Sequence, residues 1–482
     1  MSGGAAPAGS ATYVPPPGSI PTLAVPDLAG LRSVHLVGIG GAGMSGIARL
    51  LLTRGVAVTG SDLKDSHLLA QLRSAGAEVH VGHGAHQIEG ADAVVVSTAI
   101  PPDNPEVVWA RQRDIPVYAR AQVLAALMAE RRGIAVAGTH GKTTTTSMLA
   151  VILERTGADP TYLVGGDLNE SGSNARSGRG DVFVAEADES DGSFLLLESE
   201  VAVVTNVEED HLDFYGGRAE VEAAFAGFCA RAGTVVGWGD DPAVRRVTAG
   251  ASRALYYGEH DGNDVVVESI DVSADGSRGR IRFAEGAVDI HVASPGRHYV
   301  LNAAAAIAAA REVGVPPERA AAALSRFTGV RRRFEHRGRV AGVTFVDDYA
   351  HHATEIAATL SAARSQGAAR LVAVFQPHRY TRTATQWRPM GESLAGADVV
   401  VLTDVYGAGE VPVPGVTGKL LVDALLEAAP RTRAVYLPHR ADVAAYVART
   451  AQPGDLVLTL GAGDITMVGD ETLALMREGA AP

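Results

Sequence analysis

The sequence predicts an α/β protein of three domains. The two outer domains are built on open parallel sheets, and the central one adds an antiparallel meander at the edge of its sheet. Three observations predict this. The chain has 482 residues, too many for one hydrophobic core and enough for about three. An apolar strand passing through a glycine-rich turn into a helix occurs at 33–52 and again at 134–153, the opening move of a parallel α/β sheet. After residue 343 four further apolar strands alternate with helical stretches, and each strand ends in a polar string, as a second such sheet requires. The expected divisions are a tail over 1–29 and domains over 30–128, 129–328 and 329–482.

Composition narrows the function before any motif does. With 46% hydrophobic and 20% charged residues the chain reads as globular. A net charge of −13 argues against nucleic acid or an anionic membrane as partner, and no apolar run is long enough to span a bilayer. An anionic ligand must then be met by local arginines, lysines and helix N-termini. The single cysteine, Cys229, excludes an internal disulfide, and a reducing cytoplasm is the expected location. Residues 1–29 are rich in Pro, Gly, Ala and Ser and contain no Lys or Arg, which reads as a disordered tail rather than a signal peptide. Monomer and homodimer both stay open.

Ser33 to Val37 is the first strand, and Gly38, Gly40 and Gly43 after it fit G-x-G-x-x-G ahead of a helix that runs to Leu52. A second strand, Val56 to Thr59, leads into Gly60-Ser61-Asp62, an acid where a Rossmann fold holds a ribose hydroxyl. Alone, these residues suggest a nicotinamide-dependent oxidoreductase, although the fold does not fix the ligand. Ala93 to Ser97 is a buried strand whose carboxyl end carries Ser97-Thr98-Ala99-Ile100-Pro101, and His83 points toward the same crevice.

The central domain opens on Gly138-Thr139-His140-Gly141-Lys142-Thr143-Thr144-Thr145, between the apolar run Ile134 to Ala137 and the helical segment Ser147 to Leu153. A glycine loop at a helix N-terminus offers converging N–H groups to a polyphosphate; Lys142 reaches the terminal phosphates and the Thr143 hydroxyl reaches Mg²⁺. A strict G-x-x-x-x-G-K-[ST] loop needs glycine where Val136 stands. The spacing G-T-x-G-K-T instead resembles the ATP loop of the Mur ligases, the enzymes that build the peptide of bacterial cell-wall precursors. The strand Val182 to Ala185 ends in Glu186, Asp188, Glu189 and Asp191, and carboxylates beside a phosphate loop hold Mg²⁺. After the strand Val201 to Thr205, T-N-V-E-x-D-H-L-D is similar to the family's second metal segment, with His211 as ligand. Residues 264–294 alternate in polarity and give the meander. A glycine-rich loop is expected from Gly165 to Gly180.

The resemblance covers about residues 33 to 468, and it implies a Rossmann-like N-terminal domain, a P-loop ATPase-like centre and a Rossmann-like C-terminal domain. It implies that Gly38, Gly40, Gly41, Gly43, Met44, Ser61, Asp62, His83, Ser97 and Ala99 take the uridine diphosphate of the substrate. ATP falls to Gly138, Thr139, His140, Gly141, Lys142, Thr143 and Thr144, and Mg²⁺, two ions, to Thr143, Glu186 and His211. The segment G-R-H-x-x-L-N-A-A-A resembles the family's adenine and ribose contact, with His298 and Asn302; Asn302 is expected to open the helix Leu301 to Val313, and Tyr299 stands where the family has Asn. In the run Arg331-Arg332-Arg333, Arg333 matches the phosphate-binding arginine. The string D-D-Y-x-H-H-P-T-E recurs with Ala353 for Pro, which assigns Asp348 and Tyr349 to the nucleotide and His351, Arg379 and Arg382 to the amino acid and its new amide. Lys142, His351, Arg379 and Arg382 form the implied catalytic set.

The implied reaction joins L-alanine to the carboxylate of UDP-N-acetylmuramate through an acyl phosphate, converting ATP to ADP and phosphate. Two alternatives stay beside it: a recycling ligase that attaches a whole murein tripeptide, and the nicotinamide oxidoreductase, which would leave Lys142 and Glu186 to Asp191 idle. Several relatives carry a carbamylated metal-binding lysine about fourteen residues past the metal histidine. Here that position is Phe225, a core residue in expectation.

Overall fold

The computed structural model describes residues 24–479. It divides into two compact units, one holding residues up to 167 together with 171–264 and 305–320, the other holding 168–170, 265–304 and 321 onward. The expected tail lies outside the described residues up to residue 23. Ahead of residue 30, Ala24 O accepts a hydrogen bond from Gln122 Nε2 (2.7 Å) and Leu28 is buried.

In the first unit β1 (Ser33–Val37), β2 (Ala57–Asp62), β3 (Glu78–Val81), β4 (Ala93–Val96) and β5 (Val117–Ala119) form a parallel sheet in the order β3-β2-β1-β4-β5. Strand order reverses between β1 and β4, and such a reversal opens a crevice at the strands' carboxyl ends. Both strands are almost wholly buried, which is why their sequences are continuous apolar runs.

The second sheet of this unit contains β6 (Arg132–Ala137), β7 (Thr161–Leu168), β8 (Ser173–Arg176), β9 (Val182–Glu186), β10 (Val201–Val204), β11 (Thr234–Trp238) and β12 (Ala254–Gly258), in the order β12-β11-β10-β6-β9-β7-β8. From β12 to β7 the strands are parallel. Because β6 lies between β9 and β10, the loops leaving these three strands emerge side by side. The expected glycine loop over 165–180 is instead half strand: β7 runs through Gly165 and β8 follows it. Glycine is needed there for close approach, since a Cβ on Gly165 would stand 2.7 Å from Glu186 Oε2 and one on Gly180 would stand 1.8 Å from Ala158 O.

In the second unit β13 (Val265–Ser273), β14 (Gly276–Phe283) and β15 (Gly286–Val292) form the antiparallel meander. The helix after it is Arg297–Glu312, so Asn302 sits in its second turn and does not cap it. The alanine run is buried on all sides from Ala303 to Ala310, and such a helix needs no polar face to begin. The last sheet has β16 (Glu335–Val340), β17 (Val343–Asp348), β18 (Arg370–Phe375), β19 (Val399–Leu402), β20 (Arg433–Tyr436) and β21 (Asp455–Leu460), ordered β16-β17-β21-β18-β19-β20. All pairs but the antiparallel edge β16–β17 are parallel, which sends the polar strings after β17, β18, β19 and β21 to one edge. The sequence reading missed two edge strands, β16, which is mostly polar, and β20, which is only four residues long.

Phe225 is core. Its ring meets Phe194 edge-on at 5.3 Å, and Phe194 stacks on Phe228 at 5.1 Å, within a cluster that runs from the first sheet to the second. Phe225→Ala should lower stability by about 3–5 kcal/mol and Phe225→Leu by far less, read as the urea midpoint of the transition that reports this unit. Equal shifts for the two variants would show that the ring fills no close-packed site.

Candidate active site

The turn after β6 is built by two glycines in conformations other residues resist. Gly138 (φ 135°) lies where a Cβ would stand 2.0 Å from Thr205 Oγ1, and Gly141 (φ 80°) precedes the helix Lys142–Arg155. The loop is fixed from the neighbouring strand: His140 N–H donates to Asn206 Oδ1 (2.8 Å), Asn206 Nδ2 donates back to His140 O (3.0 Å), and Glu208 N–H donates to Thr139 Oγ1 (2.9 Å). Thr144 is buried in the helix's first turn.

The carboxylates after β9 meet this loop directly. Thr143 Oγ1 donates to Glu186 Oε1 (2.9 Å), and Glu186 Oε2 accepts from Gly165 N–H (2.7 Å). Lys142 Nζ donates to Glu189 Oε1 (2.8 Å) and folds back on Gly138 O (2.6 Å) and Thr139 O (3.2 Å). Burial drives the Glu189 carboxyl up to about 7, against the pull of Lys142. Burial disfavours the Lys142 charge, but Glu189, Asp188 and Glu186 outweigh it and hold the ammonium above its usual range. His211, in a left-handed turn (φ 55°), brings Nε2 to 3.4 Å from Asp210 Oδ2 and 4.0 Å from Glu189 Oε1. Lys142, Thr143, Glu186, Glu189 and His211 are thus gathered at one strand edge.

The glycine turn after β1 is held by the end of β2. Gly38 and Ile39 N–H donate to Ser61 O (2.8 and 3.0 Å), and Gly40 N–H donates to Asp62 Oδ2 (2.9 Å). Asp62 therefore supports the turn itself. A Cβ on Gly40 would stand 2.5 Å from Leu69, one on Gly43 2.6 Å from Arg120 Nη1. Gly41 immediately precedes the helix Ala42–Thr53, and Met44 in that helix is buried. Ser97 and Ala99 lie on the loop after β4, with Ala99 exposed. Ser61 and His83 meet at 2.9 Å, and both meet a residue the sequence reading passed over: Glu106, fully buried, accepts from Ser61 Oγ (2.7 Å) and Gly84 N–H (3.2 Å). Its signal was Asn104-Pro105-Glu106, a cap and a first-position proline that open the helix Pro105–Gln112.

The second unit holds the remaining candidates. Burial raises the Asp348 carboxyl to about 6, although Arg333 opposes the rise, and it accepts from Phe334 N–H (2.7 Å) and Ala350 N–H (2.8 Å). Arg332 and Arg333 both lie over the Tyr349 ring, at 4.9 and 5.1 Å. Arg332, not singled out from sequence, reaches Asp347 Oδ2 (3.3 Å) and Gly461 O (2.6 Å). Tyr299 donates its hydroxyl to Arg333 O (3.1 Å), so the departure from Asn serves the arginine turn. His298 is driven down to about 4, by burial first and then by Arg333, and Asn302 is buried one turn on. His351 Nδ1 meets Tyr349 O at 3.0 Å, and its backbone N–H donates to Glu355 (3.0 Å). Arg379, at φ 69°, donates from Nε to Glu410 Oε1 (2.6 Å), and Arg382 is buried on the helix Tyr380–Ser393. Glu410 was missed because it follows no strand and matches no spacing.

Three family models match in turn: "Mur ligase family, catalytic domain" over residues 33–132, "Mur ligase middle domain" over 136–310 and "Mur ligase, glutamate ligase domain" over 332–463. A UDP-N-acetylmuramate–L-alanine ligase of Desulforamulus reducens is 47% identical over 457 residues, covering 93% of this chain and 98% of that protein. Among solved structures, a UDP-N-acetylmuramate–alanine ligase of Thermotoga maritima superposes with a TM-score of 0.80 at 28% identity, over 93% of this chain and 99% of that one. A murein peptide ligase of Psychrobacter arcticus gives 0.71 at 27% identity, over 94% and 100%. The three-domain α/β architecture expected from sequence is the architecture of these proteins, and a nicotinamide reading of the first glycine turn gives way to theirs. With three family models in register along its length and close relatives across nearly all of it, this chain belongs to the Mur ligase family.

Proposed function

We propose that the chain joins L-alanine to the carboxylate of UDP-N-acetylmuramate, with ATP converted to ADP and phosphate. The observation that carries this reading is the meeting of Lys142 and Thr143 with Glu186 and Glu189 at one strand edge, in a chain whose close relatives bear the name of that ligase. A carboxylate resists attack by an amine, so it must first accept a phosphoryl group. Bringing two anions together requires positive charge at the phosphate, and Lys142 supplies it at the loop. Among the described residues the buried Glu189 Oε2 meets no hydrogen-bond partner, and with Thr143, Glu186 and His211 around it the donor set fits Mg²⁺. Two ions are proposed, held by Thr143, Glu186 and His211; Mg²⁺ when bound neutralises phosphate oxygens. Arg333, Asp348, Tyr349, His298 and Asn302 would take the nucleotide. His351, Arg379 and Arg382 would position the alanine carboxylate. The single buried cysteine and the family's reaction support a cytoplasmic location, and no helix among the described residues is long and apolar enough to cross a membrane.

Purified protein with UDP-N-acetylmuramate and ATP should release phosphate when L-alanine is added. Murein tripeptide should be a far poorer trigger, and NADH absorbance should not change. Faster release with the tripeptide would assign the recycling reaction instead. Lys142→Ala should lose at least about a hundredfold in kcat, the scale of one preorganised charge on a developing anion. Retention within tenfold of wild type, measured by the same phosphate release, would remove Lys142 from the chemistry. With Phe225 in the core, no carbamylated lysine can form at that position. Removing dissolved CO₂ should leave turnover unchanged, and recovery of lost activity on adding bicarbonate would show such a group elsewhere.

A further inference from the structure

Glu106 is a buried carboxylate whose ionic partners among the described residues are imidazoles: His83 Nδ1 at 3.3 Å and His35 Nε2 at 3.7 Å. It occupies the first turn of the helix Pro105–Gln112, where Asn104 Oδ1 accepts its backbone N–H (2.9 Å), and a helix N-terminus favours an anion. One carboxylate ties together the carboxyl ends of several strands. It accepts from Ser61 at the end of β2 and from Gly84 just past β3. In the amide orientation that satisfies both its ends, Gln87 Nε2 donates to it as well (2.8 Å). Burying a charge without a lysine or arginine is costly unless every lone pair is used.

The hydrogen bonds have a fixed direction. A carboxylate only accepts, so the one hydroxyl proton of Ser61 points to Glu106 Oε2 (2.7 Å). Ser61 Oγ can then only accept at its contact with His83 Nδ1 (2.9 Å), which must carry the proton. In neutral His83 the other nitrogen, Nε2, is left with a lone pair, on a side chain that keeps 12% of its surface exposed.

We propose that Glu106 is a positioning residue for the uridine nucleotide: through Ser61 it holds His83 as the Nδ1–H tautomer, so that Nε2 accepts a hydrogen bond from a ribose hydroxyl or the uracil imide N–H. This rests on the reading that the first glycine turn takes the uridine diphosphate. Glu106 itself touches no substrate.

The tautomer is measurable by long-range ¹H–¹⁵N correlation in protein labelled with ¹⁵N-histidine, with His83→Gln identifying the signal. Wild type should show Nδ1–H. In Glu106→Gln the amide NH₂ can donate to Ser61, the hydroxyl turns toward His83, and the proton moves to Nε2. UDP should then bind about tenfold more weakly by calorimetry, the loss of one hydrogen bond. KM for UDP-N-acetylmuramate should rise in parallel, and KM for alanine should not. 2′-Deoxy-UDP and N3-methyl-UDP separate the two donors: the analogue lacking the donor should bind wild type more weakly than UDP does, yet bind His83→Gln as UDP does. An Nε2–H tautomer in wild type overturns the proposal without any variant, so misfolding of Glu106→Gln cannot shield it. A folded Glu106→Gln with an unchanged tautomer and unchanged UDP affinity overturns it too. If the tautomer flips while neither Glu106→Gln nor His83→Gln alters UDP affinity, the nucleotide assignment of this turn fails and the proposal fails with it.

Discussion

The pairing of β9 with β6 is the constraint on which the catalytic edge depends. Those two strands are parallel neighbours in a register that sets Glu186 beside Val136, so the acids that follow β9 must emerge beside the loop that follows β6. Once there, Glu189 and Lys142 are buried together, and Asp188 and Glu186 add to the field that keeps the ammonium charged. The sheet thus does what no single loop could: it brings an ammonium, two carboxylates and a hydroxyl within hydrogen-bond reach of one another.

Much of this was legible in the sequence, because parallel sheets write themselves as buried apolar runs that end in polar strings. The loops after β6, β9 and β10 could each be named, and their meeting followed from the fold class. Pair identity was not legible. Nothing in spacing says that Glu189 rather than Asp188 takes the lysine, or that Asp62 accepts from the glycine turn. Glu106 escaped for a related reason. A glutamate in the first turn of a helix is commonplace on an exposed surface, and only burial turns it into a chemical statement. Asn302 was misplaced because the helix's first turn, Arg297-His298-Tyr299, carries no apolar period to mark it as helical, so the helix was read as starting only where the alanines begin.

Two aromatic residues singled out in the sequence, Tyr299 and Phe225, follow the same logic. Each ring is almost wholly buried. Phe225 joins the cluster with Phe194 and contributes packing alone. Tyr299 keeps a polar handle, and its hydroxyl goes to the carbonyl of Arg333, on the turn where Arg332 and Phe334 take positive φ. That turn is strained at two non-glycine residues, a cost of about 1–3 kcal/mol each. Tyr299 and the Asp348 carboxylate, which accepts from Phe334 N–H, hold it from both sides.

The arginine run shows how the same turn divides labour between neighbours that look equivalent on paper. Alternate side chains of an extended segment point to opposite sides, but the left-handed residues at 332 and 334 break that alternation. Arg332 turns inward to Asp347 and to the carbonyls of Gly461, Ala462 and Gly463, where its guanidinium bonds backbone oxygens that lie at the carboxyl end of β21. Arg333 lies on the Tyr349 ring near Glu355 with about a quarter of its side chain exposed. Both guanidiniums lie over the Tyr349 ring, and Arg332 adds the carbonyl oxygens at the end of β21, which makes it a structural clamp. The backbone strain at this turn therefore sends one arginine to close the end of the sheet and its neighbour toward Glu355.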